Sequence, residues 1–303
     1  MHAAIAEAAG RIAGHVRPTP VIEVGIGSGS VVLKLELLQH TGSFKPRGAF
    51  NRILSADVPE AGVIAASGGN HGLAVAYAAS KLGIASEIFV PEVTPAVKVE
   101  RLRSYGAEVT VIGEFYADAL DASTERAQGT DALVIHAYDQ PEVVAGQGTL
   151  GMELMGQASG IDTILVSVGG AGLIGGMAGW VAGRAQIIGV EPRLAPTLAQ
   201  ALEADQPVDV EVGGIAADSL GAKRVGDIAF EQCRLYVDRV VLVGDSQIAS
   251  AQRWIWEELH LIAEPGGATA LAPLLDGSYV AEPGERVAVI VCGSNTDPAR
   301  FSA

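Results

Sequence analysis

Lys45 stands between an aromatic residue and a proline in Thr41-Gly42-Ser43-Phe44-Lys45-Pro46-Arg47-Gly48-Ala49, just ahead of a helical pattern. The positive end of a helix dipole disfavours a cation there, so this amine is expected to give up its proton more readily than usual. A neutral amine is what a Schiff-base nucleophile requires. The competing reading is a surface lysine whose aliphatic stem lies along apolar neighbours.

Three further segments carry chemistry. Ser67-Gly68-Gly69-Asn70-His71-Gly72 joins a β-branched run to a helix. Its small residues leave backbone N–H groups open to an anion such as a substrate carboxylate. A plain turn with Asn70 as helix cap would use the same residues, and His71 reads as a hydrogen-bonded scaffold group more readily than as a general base. Ser167-Val168-Gly169-Gly170-Ala171-Gly172-Leu173-Ile174-Gly175-Gly176 follows a strand and opens an apolar helix, where consecutive amides can nest a phosphate. A dinucleotide fold would also use such a turn, and Glu191 supplies the acid expected about 20 residues on. The regular G-x-G-x-x-G spacing is absent, however, and an oxidoreductase would leave the first two segments without a role. Last, Cys292 ends the run Val289-Ile290-Val291 ahead of Gly293-Ser294-Asn295; a buried structural thiol is the plain alternative.

Positioning these turns requires strands and helices in alternation. Runs at 31–35, 62–66, 86–90, 108–112, 164–168, 187–190 and 287–291 read as strands. Patterns at 72–81, 94–105, 116–128, 147–157, 173–183 and 245–258 read as helices. Near-continuous apolar strands between helices predict parallel sheets covered on both faces, with ligands at the carboxyl ends of the strands. No repeat or long linker divides the chain; the turn at Asp139-Gln140-Pro141 is the best candidate boundary.

Composition narrows the function class. The 303 residues carry 20 Lys+Arg and 35 Asp+Glu, a formal charge of −15, with 49% hydrophobic and 18% charged residues. A sizeable core is available. No basic run exists, so a nucleic-acid partner is not expected. Two cysteines, Cys233 and Cys292, cannot form a disulfide framework, and a reducing cytoplasm is the expected compartment. Glu7 and Arg11 interrupt any apolar leader. The most apolar stretches, 172–181 and 287–292, are too short to span a bilayer, so no membrane partner is expected.

Taken in order, the four segments resemble the serine/threonine dehydratase family of pyridoxal-phosphate enzymes of fold type II, which includes threonine ammonia-lyases and serine racemases. The resemblance runs from Arg17-Pro18-Thr19-Pro20 to Asn295. It takes in Ala145-Gly146-Gln147-Gly148-Thr149, Gly189-Val190-Glu191-Pro192 and Ala263-Glu264-Pro265-Gly266-Gly267-Ala268. It implies a two-domain α/β fold, tryptophan synthase beta-like, with parallel-rich sheets flanked by helices. Residues 1–57 and 139–303 would form the large cofactor-binding domain and 58–138 a small substrate-binding insert. A homodimer is the family expectation. The regulatory domain of biosynthetic threonine dehydratases is not expected, because the match stops near the chain end.

The resemblance also implies residue roles. Lys45 would hold pyridoxal 5'-phosphate as a Schiff base and then act as the base at Cα. Phe44 would pack behind the ring, Asn70 would bond the ring hydroxyl, and Glu264 would lie beside the cofactor. Gly169, Gly170, Ala171, Gly172 and Leu173 would cradle the phosphate. Ala171 replaces a common glycine, an exchange that a negative φ would allow. Ser67, Asn70 and His71 would receive the substrate carboxylate. Cys292 would face the pyridine nitrogen; a thiol is a weak donor, which leaves that nitrogen largely unprotonated and favours rapid loss of a β-hydroxyl.

The implied reaction is β-elimination of L-threonine, L-serine or a related β-hydroxy amino acid to a 2-oxo acid and ammonia. A β-replacement synthase, an amino-acid racemase and a non-catalytic sensor remain alternatives on the same fold. Asn70-His71-Gly72 resembles the dehydratase branch, and Gly68 stands where racemases place a second serine. Tyr116 and His136-Ala137-Tyr138 are candidates for the side-chain pocket. Glu191, Ala195 and Thr197 match a cation site in the family, and the neutral Thr197 points to potassium rather than a divalent ion. The alternative is that Glu191 caps a turn.

Overall fold

The computed structural model describes residues 1–27 and 29–301. Ten strands form two sheets. They are β1 (Val21–Ile26), β2 (Gly29–Lys34), β3 (Val63–Ala66), β4 (Ser86–Val90), β5 (Glu108–Val111), β6 (Leu133–Val134), β7 (Thr163–Ser167), β8 (Gln186–Pro192), β9 (Arg239–Val243) and β10 (Val287–Ile290). The larger sheet runs β1-β2-β10-β7-β8-β9 and the smaller β5-β4-β3-β6. Every pairing is parallel except β1 with β2, where Val24 lies opposite Val31. The expectation of parallel pairing therefore needs correcting at that edge, where the two strands form a hairpin, the connection antiparallel strands allow.

The larger sheet is buried on both faces. Val32, Ile164, Val166, Ala288 and Ile290 pack toward Leu173, Ile174 and Met177 of the helix Gly172–Val181. Val31, Leu33, Leu165, Val287 and Val289 pack toward Ile248 and Ile255 of the helix Asp245–Leu259. Odd and even residues of one strand thus serve different cores, which is why these strands read as unbroken apolar runs.

In the smaller sheet Val63, Ala65, Ile88 and Val90 pack on the helix Asn70–Leu82. Ile64, Ala66 and Phe89 cover Ala119 and Ala127 of the helix Tyr116–Thr130. This sheet draws core residues from outside its own stretch of chain: Ile12, Ala49, Phe50, Ile53 and Val143 belong to the same cluster as Val63. The helix Lys45–Leu54, which opens with the lysine, is therefore held by the smaller sheet's core.

Helix starts differ from the sequence patterns at four places; those expected at 94 and 173 begin at Ala96 and Gly172. The helix expected from 147 begins at Pro141, whose missing N–H and fixed φ suit a first turn, and runs to Gln157. The helix expected from 72 begins at Asn70.

Three charged side chains are buried beneath the lysine helix and are joined by the half-buried Glu153. Arg47 donates to both Glu36 oxygens at 2.6 and 3.0 Å and to Glu153 at 2.9 Å. Lys34 donates to Glu153 at 2.5 Å, to the Thr19 carbonyl at 2.6 Å and to Gln157 at 2.7 Å. Arg47, Glu36 and Lys34 are at most 1% exposed. Such a set is tolerable only because every charge is paired and hydrogen-bonded.

Candidate active site

Three neighbouring strands deliver the chemistry to one edge. β2 leads into the loop before Lys45, β10 runs out at Cys292, and β7 runs into the glycine loop. Because β2, β10 and β7 are parallel, all three exits share one end of the sheet, the position where open α/β sheets bind ligands.

Lys45 is the first residue of its helix, with Pro46 next to it in the first turn. Its Nζ donates to the Ala137 carbonyl at 2.8 Å and lies 5.2 Å from the centre of the Phe44 ring. Burial pushes the amine down to about 8, with Cys292 and Glu264 acting in the opposite direction. An amine in that range is still mostly protonated near physiological pH, but its neutral fraction is far larger than that of an ordinary lysine. The surface-lysine alternative fails on this geometry.

The glycine loop is built for close approach. A Cβ on Gly170 would lie 2.5 Å from the Tyr138 ring, and one on Gly169 would lie 3.0 Å from Leu220 Cα. Ala171 caps the helix with φ +65°. The condition that would make the exchange easy, a negative φ, is not met: the residue adopts the left-handed form and bears its steric cost, held by burial and by its carbonyl accepting from Gly175 N–H at 2.8 Å. The first N–H groups of a helix have no partner within it, so Gly172 and Leu173 present donors at the loop.

The second loop is equally tight. A Cβ on Gly72 would lie 2.0 Å from the Ser67 carbonyl, so only glycine fits. Gly69, not Asn70, is the cap of the helix, and Ser67 Oγ accepts from Gly69 N–H at 3.2 Å. Asn70 is thus free of the capping role and turns its amide elsewhere: it donates to Glu264 at 2.6 Å and accepts from Asn295 at 2.5 Å. His71 Nε2 bonds the Ile135 carbonyl at 2.8 Å, and burial together with the nearby Lys45 lowers it to about 3. A ring held neutral and donating to a carbonyl is scaffold; what it offers a carboxylate is its backbone N–H.

Cys292 donates to the Gly266 carbonyl at 3.5 Å. Burial, then Glu264, raises the thiol to about 12, so it stays neutral. Burial also raises Glu264 to about 7. Lys45, Asn70, the glycine loop, Glu264 and Cys292 therefore meet in one place.

Glu191 lies elsewhere. Its carboxylate accepts from Leu198 N–H at 2.7 Å and Ala199 N–H at 2.9 Å, and Thr197 Oγ1 donates to the Ala222 carbonyl at 2.9 Å. Burial raises Glu191 to about 7 despite those bonds. This arrangement matches the capping alternative, and among the described residues no cluster of three or more His, Cys, Asp or Glu could hold a metal.

Some site residues carried no assigned role in the sequence reading. Asn295 was only the end of a motif, although its amide donates to both Asn70 and the Thr41 carbonyl. Leu220, against Gly169, was not identified either. A Gly-Ser-Asn run directly after a buried strand was the available signal for Asn295. Tyr138 packs its ring against Gly170 of the glycine loop, and Tyr116 is half exposed at the head of its helix.

The donor set fits a phosphorylated carbonyl cofactor: a reactive amine, a glycine turn packed too tightly on Tyr138 and Leu220 for side chains and opening a helix whose first N–H groups are free of intrahelical partners, and a neutral thiol. Comparison with known proteins agrees. The family model for pyridoxal-phosphate dependent enzymes matches residues 12–293, and the chain belongs to this family. It is 38% identical over 308 residues to a phenylserine dehydratase of Ralstonia pickettii, covering 99% of this chain and 94% of that one. It is 36% identical over 277 residues to an L-threonine ammonia-lyase of Thermotoga maritima, covering 90% of this chain and 69% of the other. A maize serine racemase structure superposes with a TM-score of 0.92 at 34% identity, covering 99% and 95% of the two chains. The chain spans about half the length of the biosynthetic L-threonine dehydratases it matches, 53% for that of Pasteurella multocida.

Proposed function

We propose that this pyridoxal-phosphate-dependent enzyme is an ammonia-lyase that converts L-threonine, L-serine or a related β-hydroxy amino acid to a 2-oxo acid and ammonia. The observation that carries the reading is the Lys45 amine, lowered to about 8 and set where the glycine loop, Asn70 and Cys292 converge. The bound cofactor supplies the electron sink for the Cα carbanion. Gly169, Gly170, Ala171, Gly172 and Leu173 hold its phosphate, and Phe44 packs against its ring. Backbone N–H groups at the start of the helix Asn70–Leu82, with Ser67, receive the substrate carboxylate. Lys45 takes the Cα proton and returns it to the β-hydroxyl, which departs as water; the released enamine then takes up water to give the 2-oxo acid and ammonia. Cys292 offers the ring nitrogen a neutral partner that does not hold it protonated.

Residues 58–138 act in this reading as the small domain that closes over substrate and excludes water. A cytoplasmic homodimer is the proposed setting; two buried free thiols are at home in a reducing compartment. Among the described residues no helix is long and apolar enough to cross a membrane. A weakly held potassium ion near Glu191, Ala195 and Thr197 belongs to the same reading, supported by the neutral oxygen of Thr197. Chelation of divalent ions in potassium buffer should leave turnover unchanged, and a requirement for magnesium would count against it.

The test of the function is release of 2-oxo acid from a panel of hydroxy amino acids, with borohydride fixing the cofactor on Lys45. Activity on at least one β-hydroxy substrate, abolished in Lys45→Ala, is expected. A protein that binds no pyridoxal phosphate, or a Lys45→Ala variant with full turnover, would overturn it.

A further inference from the structure

The turn that receives the Lys45 amine is built around one imidazole. His136 Nδ1 accepts from Asp139 N–H at 2.9 Å and from Tyr138 N–H at 3.3 Å. Two N–H donors on Nδ1 leave the ring proton on Nε2 and fix the tautomer. The same residue is anchored at its backbone, where its N–H donates to Gln140 Oε1 at 2.9 Å. Gln140 in turn donates to the Val134 carbonyl at 3.1 Å, at the end of β6. The imidazole also stands edge-on to the Tyr138 ring, 4.8 Å between centroids at 75°. That ring lies against Gly170 of the glycine loop, and the Tyr138 Cβ and backbone lie against Gly172.

Between the two held residues sits Ala137, whose carbonyl accepts from Lys45 Nζ at 2.8 Å. A three-residue turn stapled at both ends by one nitrogen has little freedom to rotate its middle peptide. We propose that His136 is a positioning residue that fixes the Ala137 carbonyl on the Lys45 amine and the Tyr138 ring on the phosphate loop. It does so through the acceptor at Nδ1, not through any proton of its own.

The chemistry of that acceptor is specific. A carbonyl bonds an ammonium more strongly than a neutral amine, so a well-aimed Ala137 oxygen favours the protonated form of Lys45 and opposes the effect of burial. The other titratable groups around Lys45 are His71 at the start of the helix Asn70–Leu82, Glu264 ahead of the helix Pro265–Ala268, and Cys292 after β10. His71 is neutral, with its ring bound to Ile135, and Cys292 is a neutral thiol. Burial lowers His136 itself, so it too is uncharged over the range in which Lys45 titrates. Replacing it therefore removes no charge, and any movement of the Lys45 midpoint reports the hydrogen-bond geometry.

Substitution separates the acceptor from the rest of the ring. The side-chain oxygen of asparagine can occupy the place of Nδ1 and accept from N–H groups two and three residues on, as in an Asx turn. Glutamine places its oxygen farther out, and alanine has none. The experiment is trace acetylation of the full chain, its cofactor first removed with hydroxylamine to free the Lys45 amine, with acetic anhydride across about pH 6–11, the Lys45 peptide being quantified by mass spectrometry. His136→Asn should keep the wild-type Lys45 midpoint. His136→Ala and His136→Gln should lower it by about one pH unit, because the ammonium loses its aligned acceptor. Unchanged midpoints in Ala and Gln, or a His136→Asn midpoint that moves as far as theirs, would overturn the assignment. If His136→Ala fails to fold, Asn against Gln decides. The inference rests on Lys45 being the reactive amine, but the labelling reads that amine without cofactor or substrate. A failure here is thus distinct from a failure of the lyase reading.

Discussion

Asn295 and Asn70 are joined side chain to side chain at 2.5 Å, although 225 residues separate them in the chain. The same Asn295 amide group donates to the Thr41 carbonyl at 2.8 Å, four residues before Lys45. Thr41 holds φ +61°, a costly conformation for a β-branched residue that persists only where its surroundings enforce it. Asn70 passes the connection on to Glu264. The lysine loop, the Ser67–Gly72 loop and the segment after Cys292 are therefore registered through two amides.

Asn295→Ala should destabilise the enzyme by about 1–3 kcal/mol, since it leaves two acceptors short of a donor. Asn295→Asp should cost more, because it places carboxylate oxygens against the Thr41 carbonyl and Asn70 Oδ1. Thermal melts of the loaded enzyme check the order, and an Asp variant as stable as wild type would contradict the connection.

Cys292→Ser should retain most of the turnover, because a hydroxyl is also a neutral partner. Cys292→Asp should lose at least about 10²-fold, as a buried carboxylate next to Glu264 changes the protonation of whatever it faces. The ratio of the two kcat values is the measurement. Equal losses would mean that the thiol does not face the reacting ring.

Two carboxyls give the stability a pH slope of known sign. Glu191 and Glu264 are each raised to about 7 from 4.5, so the folded chain binds more protons than the unfolded one between those values. Below about pH 6.5 the buried His71 and His136, whose values are lowered, act in the opposite sense, so the carboxyls set the slope above it: stability should fall as pH rises from about 6.5 through 7 and then level out. Lys45 acts in the opposite sense higher up: it is lowered to about 8 from 10.5, so stability recovers somewhat between those values. Glu191→Gln should flatten the first slope. Melting temperatures from about pH 6.5 to 8 test this, and a rise through that range would contradict it.

Elimination should greatly exceed racemisation. Inversion at Cα needs a proton donor on the face opposite Lys45, and Gly68 has none to give. A Cβ at that position would lie 2.9 Å from Thr94 Cγ2, so Gly68→Ser alone should displace Thr94 before it could serve. Chiral analysis of a reaction with L-serine should yield pyruvate and almost no D-serine. D-serine formed as fast as pyruvate would reverse the assignment.

The strand-to-helix junctions were legible because each is local: an apolar run, small residues, then a helical pattern. Lys45, Asn70 and the glycine loop were found that way. Other features depend on partners distant in sequence. Asn295 reaches Thr41 across 254 residues, and no window of sequence contains both. The sign of φ at Ala171 is set by what the loop packs against rather than by its neighbours in the chain. Glu191 illustrates a different limit, since the same carboxylate would suit a cation or a helix start, and only its place in the fold provides Leu198 and Ala199 N–H. The antiparallel β1 was missed because its residues alternate weakly and its register comes from pairing with β2.

The charge set beneath the lysine helix constrains how this lineage can drift. Arg47, Glu36, Lys34 and Glu153 sum to zero, and removing any single member leaves a buried charge without its counterpart. One-step substitutions there pass through a less stable ancestor, whereas paired exchanges do not. Descendants should therefore vary these positions jointly or leave them fixed. A library randomising all four together should recover functional apolar replacements that no series of single changes would reach.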